Sequence, residues 1–338
     1  MARLYALIVL GLGLTACGEP FSNDDLLFLK SLPNRALVDL RVPDDEASTG
    51  LHAAATEPQR AVYYEASRKI AKDINAGIQG TLDLVDTIVA YPPTVRTDAY
   101  RGWGPIDGGG DVEYALFVTK TSTPAVRVPT STLTLVPAEQ VFTFAFSARK
   151  KGAIGDFQNV IIGQFAPLGT ERRGIGGIYF DHEAAHALDP KSEARGRSYV
   201  AYDTRASVGV ALVMSFELSP LLGGMPGELG GYYRYLRAPD GGVDFRFAYR
   251  RDTAVADGEP PISALETFYV FSRWNVDHRG RADLVVADGD LTEPIGASEC
   301  WDDHFLRVYF WPSIPALGEP FGAVSACAPG LELPLWPR

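Results

Sequence analysis

The sequence predicts a mainly β protein with an N-terminal helical layer (α+β). The expected body is an antiparallel meander of about ten or more strands, forming an open or closed barrel or a sandwich. Three observations predict it. Runs of period-two alternation recur: "VFTFAFSA" puts Phe142, Phe144 and Phe146 on one face. "VDFRFAYR" puts Val243, Phe245, Phe247 and Tyr249 on one face and Asp244, Arg246 and Arg250 on the other. Turn chemistry joins such runs: "YYRYLR" and "VDFRFAYR" meet through Pro239-Asp240-Gly241-Gly242, a hairpin connection. Helical spacing, finally, is confined to the N-terminal side of Pro92-Pro93, so strands follow one another without crossover helices, which argues against a parallel α/β fold.

Taken in order, residues 1–16 read as a signal peptide and residues 17–24 as a short tether. "DLLFLKSLPN" reads as a short helix stopped near Pro33, and residues 40–56 are loop-like. One long amphipathic helix is expected from about Glu57 to Val89, capped by Thr56, with Pro58 in its first turn, where a missing N–H costs little. Its apolar stripe is Val62, Ala66, Ile70, Ile74, Ile78 and Leu82, continued by Val85 and Val89. Residues 25–95 thus form a helical segment that packs on the body of residues 96–338, the two making one domain. Within the body, from about Asp111 onward, further strand candidates lie near 112–119, 157–165, 174–180, 197–203, 207–217, 265–274, 282–287 and 304–311. The tail "LELPLWPR" is broken by Pro and expected along the surface.

The N-terminus carries the most information on location. Arg3 gives a basic start, and Leu4 to Leu14 is an uncharged apolar run, too short to span a bilayer, which takes about 20 residues. The run ends in Leu14-Thr15-Ala16-Cys17, which resembles the lipobox of bacterial lipoproteins. The resemblance implies cleavage after Ala16, a diacylglycerol thioether on Cys17 and an acyl chain on its new amine. Two or more chains, at about 0.8 kcal/mol per buried methylene, hold a protein stably on a membrane. In the family's sorting rule, Asp after the Cys retains the protein on the inner membrane; Gly18 stands there instead, which implies the outer membrane. In texture the mature chain is similar to the uncharacterised envelope lipoproteins that some Gram-negative bacteria encode in numbers. Of the 3 cysteines, Cys300 and Cys327 then remain as a pair. In an oxidising compartment they are expected to form a disulfide, contributing about 3 kcal/mol by loop entropy. Charge excludes nucleic acid as a partner: Lys+Arg is 31 against Asp+Glu 42, the net charge is −11, and no basic cluster exceeds "ARKK".

One stretch carries a catalytic spelling, "YFDHEAAHALDP". His182, Glu183 and His186 resemble the zinc-binding helix of zincin metallopeptidases, in which two His one turn apart hold Zn²⁺ and the Glu takes a proton from the bound water. A third ligand would be needed, with Glu217, His278 and His304 as candidates. The surroundings favour another reading. A strand runs straight into the motif, Asp181 is a natural N-cap, and Asp189-Pro190 ends any helix after barely two turns. The expected object is a short capped turn between strands, with no metal and no catalytic residue. Zinc on His182 and His186 with Glu183 as base is the alternative. "NVDHRGRADLVVADGD" resembles the calcium loops of integrin-type propeller repeats, but Arg279 replaces an expected acid and only one copy exists, so a hairpin turn and strand are expected. "SECWDDHF" could bind a metal; a strand pinned by the disulfide at Cys300 is the simpler account. "GIGG" at 174–177 lacks the helix that cradles phosphate. The expected function is that of a lipid-anchored envelope lipoprotein acting as a binding or structural module. Its partners would be the membrane, through the anchor, and an apolar ligand or an envelope protein. A zinc hydrolase is the alternative.

Overall fold

The computed structural model describes residues 21–32, 39–43, 59–107, 110–128, 134–168, 173–190, 195–216, 231–254 and 264–330. The signal segment, Cys17, the proposed helix cap at Thr56 with Pro58, Glu217 and the tail beyond 330 lie outside them.

Strands dominate. In chain order the main sheet takes β1 (Val95–Thr97), β2 (Tyr100–Asp107), β3 (Val112–Ser122), β6 (Gln140–Lys150), β7 (Gln158–Pro167) and β8 (Gly174–Asp181). It continues with β9 (Arg197–Asp203), β10 (Val210–Phe216), β11 (Gly231–Arg237), β12 (Val243–Arg251), β13 (Glu266–Trp274) and β14 (Gly280–Asp288). It ends with β15 (Ile295–Trp301), β16 (Arg307–Pro312) and β17 (Phe321–Gly322). These pair antiparallel with their sequence neighbours into one 15-stranded sheet, while β4 (Ala125–Arg127) and β5 (Leu135–Pro137) make a separate ribbon between β3 and β6. The meander expectation is met, and the sheet is open. The closed-barrel and sandwich alternatives are corrected: among the described residues β1 and β17 are the edges of one sheet and do not pair with each other. Both edges are very short, which limits the row of exposed backbone groups they offer.

The inner face is built from the alternation read in the sequence. Phe142, Phe144 and Phe146 are buried, as are Val243, Phe245 and Phe247, with Tyr249 half-buried. On the outer face of the β11–β14 region, Asp244 accepts from both Arg246 (2.7 Å) and Arg273 (3.0 Å). The hairpin turn at Pro239–Gly242 closes with Ala238 N–H donating to Gly242 O at 2.8 Å. Strand structure begins earlier than expected, at Val95 instead of Asp111: in β2, "GWGP" looks like a turn in sequence, yet it forms an irregular pairing with β3 between Trp103 and Ile106.

Helices cover the inner face. α1 (Asn23–Lys30) is closed by a capping box: Ser22 Oγ accepts from Asp25 N–H, and Asp25 accepts from Ser22 N–H. Phe28, fully buried, meets the Phe142 ring edge-on at 5.5 Å. Asp25 is itself fully buried and holds two guanidinium groups, Arg101 at 2.5 Å and Arg96 at 3.2 Å.

α2 (Val62–Val89) is the long helix. Among the described residues its buried ones are Tyr64, Ser67, Ala71, Ile74, Leu82, Val85 and Ile88, whereas Val62 is 54% exposed and Ala66 and Ile70 are half-buried; the Ile78 side chain lies outside the described residues. The inward face therefore differs from the expected four-residue stripe. Spacing of four gains about 40° per step on a helix of 3.6 residues per turn, so a strict stripe walks off the contact line, while mixed steps of three and four stay on it. Its two ends are tied to distant parts of the sheet. At the start, Val62 and Tyr63 N–H donate to the Glu299 carboxylate of β15 at 2.9 and 2.7 Å. Past the end, Trp103 Nε1 of β2 donates to Tyr91 O at 3.0 Å. Eleven strand spacings separate β2 from β15 in the sheet order, about 53 Å if the sheet were flat, while 28 helical residues span about 42 Å. The flat width thus exceeds the helix length, in keeping with a sheet that curls around the helix. A strap at 39–43 fills the space between: Asn75 pairs with both the N–H and the O of Leu40, each at 2.9 Å, and Tyr235 OH pairs with Arg41. Cys300 and Cys327 form the expected disulfide, with Cα atoms 5.4 Å apart.

The Asp25 site gives a pH dependence. Burial raises its carboxyl, but the Ser22 N–H, Arg101, the Ser22 hydroxyl and Arg96 outweigh it and hold the group below its ordinary value. A depressed carboxyl contributes stability above the unfolded value and loses it as pH falls through the folded one. Asp25→Asn should cost about 3 kcal/mol or more at neutral pH, as for a broken buried pair. In urea titrations, the gap to the parent should narrow steadily as pH drops through and below the carboxylate range.

Candidate functional site

The zinc spelling sits where β8 turns into α3 (His182–Leu188). Asp181 is the N-cap, accepting from Ala184 N–H at 2.9 Å, and Asp189 leaves the helix in an extended conformation before Pro190. His182 Nε2 lies 2.9 Å from Ser198 Oγ of β9, and its ring stacks on Phe180 at 5.9 Å. Burial pushes the His182 imidazole below its ordinary value, against the opposing pull of Asp181 and Glu183. The Glu183 carboxylate accepts from Gly196 N–H at 2.8 Å, while His182 and Glu183 N–H both donate to Gly196 O. These groups lock the corner between β8 and β9. His182 Nε2 and Glu183 Oε1 thus each face a protein partner.

The other candidate ligands lie elsewhere. His278 occupies the β13–β14 turn with φ 70° and stacks on Phe305 at 5.8 Å. Its segment forms the hairpin expected in place of a calcium loop. His304 follows β15 and pairs with Asp303 at 2.9 Å. Among the described residues, one group of three potential ligands converges, Asp302, Asp303 and His304. It does not include His182 or His186. Asp302 Oδ1 is occupied by the N–H groups of His304 and Leu306, each at 2.9 Å, which is ordinary turn chemistry.

The site that stands out was not among the sequence candidates. A groove of about 440 Å³ opens on the face of the sheet opposite the helices, across β3, β6, β7, β8 and β9. Its sides are Phe117, Tyr179 and Tyr199; Thr119, Thr143 and Gln164 supply hydroxyl and amide groups. Ile162 and Tyr199 are 43% and 40% exposed. Small residues, Ala145, Gly163 and Gly177, line the groove between the rings. Gly177 is needed because a Cβ there would meet the Tyr199 hydroxyl at 2.7 Å, so the phenol ring leans across it. At Gly163 the space a side chain would take is filled by the Phe144 ring, 2.2 Å from an ideal Cβ. Phe117 is held in an aromatic row, stacked on Tyr100 at 6.2 Å and edge-on to Phe157 at 6.4 Å. The signal was present as outward positions of "FVT", "TFA" and "IGQ" that carry no charge, on strands whose inward positions are apolar as well. "GIGG" contributes the seats of aromatic rings rather than a phosphate cradle.

Comparison with protein-family models, curated proteins and solved structures finds no match for this chain.

Metal analysis of the purified chain decides between corner and zinc centre. With His182 and Glu183 serving the β8–β9 corner, no stoichiometric zinc should accompany the protein, and His186→Ala should leave its metal content unchanged. Zinc at one per chain, lost in that variant, would contradict this assignment.

Proposed function

We propose that this protein is a lipid-anchored, non-catalytic binding module of a bacterial envelope, tied through Cys17 to the outer membrane rather than the inner. The observation that carries the reading is the N-terminal stretch: a basic start, an uncharged apolar run and Leu14-Thr15-Ala16-Cys17 in order. The Cys300–Cys327 disulfide agrees with an oxidising compartment. Two further facts support a binding role. The concave side of the sheet is filled by α2, the strap and buried aromatics, so an apolar guest inside the curl has α2 in its way. The outward face carries the groove, an open concave surface of a size typical for small-ligand sites, about 300–1,000 Å³. The engagement of His182 and Glu183 with Ser198 and Gly196 supports a non-catalytic reading over a zinc hydrolase. As partners, the reading has the membrane through the anchor and a ligand at the outward face.

The anchor is tested by mass spectrometry of the protein isolated from a bacterial host. The mature chain should begin at Cys17 and carry a diacylglycerol and an amide-linked acyl mass there. Cys17→Ser should abolish both and release the protein from the membrane fraction. An unmodified Cys17, or a Cys17→Ser variant processed and retained like the parent, would contradict the reading.

A further inference from the structure

We propose that the outward groove is a carbohydrate subsite that takes neutral sugar rings, stacked on Tyr199 and Phe117 and hydrogen-bonded by Gln164, Thr119 and Thr143. The inference rests on the binding-module reading and names its ligand class.

About a fifth of the chain is charged, 22%, yet among the described residues none that lines the groove is Asp, Glu, Lys, Arg or His. A phosphate, a nucleotide or a carboxylate would find no cation to offset its desolvation there. An acyl chain would match the rings but leave Gln164, Thr119 and Thr143 facing hydrocarbon, and the open groove would leave much of the chain in water. An extended peptide adds to a sheet through a free edge, whereas this groove lies on the face of five paired strands.

What the lining offers fits a pyranose. Such a ring has a flat face of C–H groups and a rim of hydroxyls. The C–H face packs on an aromatic ring, whose negative face attracts the polarised hydrogens. The hydroxyls need amide and hydroxyl partners that both donate and accept, as Gln and Thr do. The Tyr199 phenol lies above its ordinary value through burial, so it stays protonated and can donate as well. Tyr199 lies across Gly177 and Phe117 is braced by Tyr100 and Phe157, so the platforms are set before a ligand arrives.

The test uses the full lipidated chain in a detergent without a sugar headgroup. Hexasaccharides of glucose in α-1,4 and β-1,4 linkage and of N-acetylglucosamine are titrated by calorimetry and by saturation-transfer NMR. A fatty acid and inorganic phosphate serve as comparators. Saturable binding of at least one of the sugars is expected. Tyr199→Ala should weaken it roughly tenfold, while Tyr199→Phe, which keeps the ring, should cost less. Gly177→Val should abolish it by displacing Tyr199, with an unchanged circular dichroism spectrum as the folding control. No sugar binding by a folded chain, or binding indifferent to both Tyr199→Ala and Gly177→Val, overturns the proposal. Binding of the fatty acid alone, sensitive to Tyr199→Ala, also overturns the sugar assignment while leaving the binding-module reading in place. Failure of the anchor is read separately, from the acyl mass on Cys17.

Discussion

The architecture depends on one buried carboxylate. The N-cap of α2 is Ala61, whose methyl cannot accept a hydrogen bond, so the first N–H groups of the helix need partners from elsewhere. Glu299, with no exposed surface, comes up from β15 and takes the N–H of Val62 and of Tyr63. Arg307 of β16 neutralises it at 2.7 Å. Burial pushes the Glu299 carboxyl above its ordinary value, against the pull of Tyr63, Val62 and Arg307. The helix dipole favours a negative group at this end. A buried charge pair of this kind adds little net stability but is costly to break, and it acts at one position only. It therefore fixes where the helix starts relative to the sheet. Main-chain contacts reinforce the placement: Ala61 N–H donates to Phe305 O, and Arg307 N–H to Gln59 O.

From that fixed point the shape of the molecule follows. The other end of α2 is held by Trp103, and a helix shorter than the flat width between its anchors agrees with a curled sheet. The concave side then holds α2, the Leu40 strap and α1 with its Phe28 anchor, together with the aromatic rows of β6 and β10–β12 in one contiguous core. Ser67, in the second turn of α2, and Ser272 of β13 share a buried hydrogen bond at 2.6 Å near the Glu299 end of that contact. With the inner face committed to packing, recognition chemistry has room on the outer one. There the sheet divides into a charged region, where Arg246 and Arg273 share Asp244 and Arg281 pairs with Asp283, and the uncharged groove on β3 to β9.

Much of this was legible in the sequence where one local rule decides the outcome. Strands with a single buried face must alternate, so β6 and β12 announced themselves, and Pro239–Gly242 left few choices for the connection between β11 and β12. Asp181 and Asp189-Pro190 bounded α3 for the same reason. What stayed hidden is set by residues far apart in the chain. Glu299 is one acid in "GASECW", and its helix partners lie 236 and 237 positions away. β2 was masked by Gly102, Gly104 and Pro105, which look like a turn until paired with β3. The groove needs five strands side by side, and no single stretch displays it. The stripe on α2 misled because equal spacing of four looks like a face in sequence but rotates in space.

The central claim, that Glu299 pins the start of α2 and thereby holds the curl, is tested most directly by hydrogen exchange on the parent and Glu299→Gln. The Val62 and Tyr63 amides, and then the first turns of α2, should lose protection in the variant well before the β6–β7 strands do. Equal protection of those amides in both proteins would contradict it.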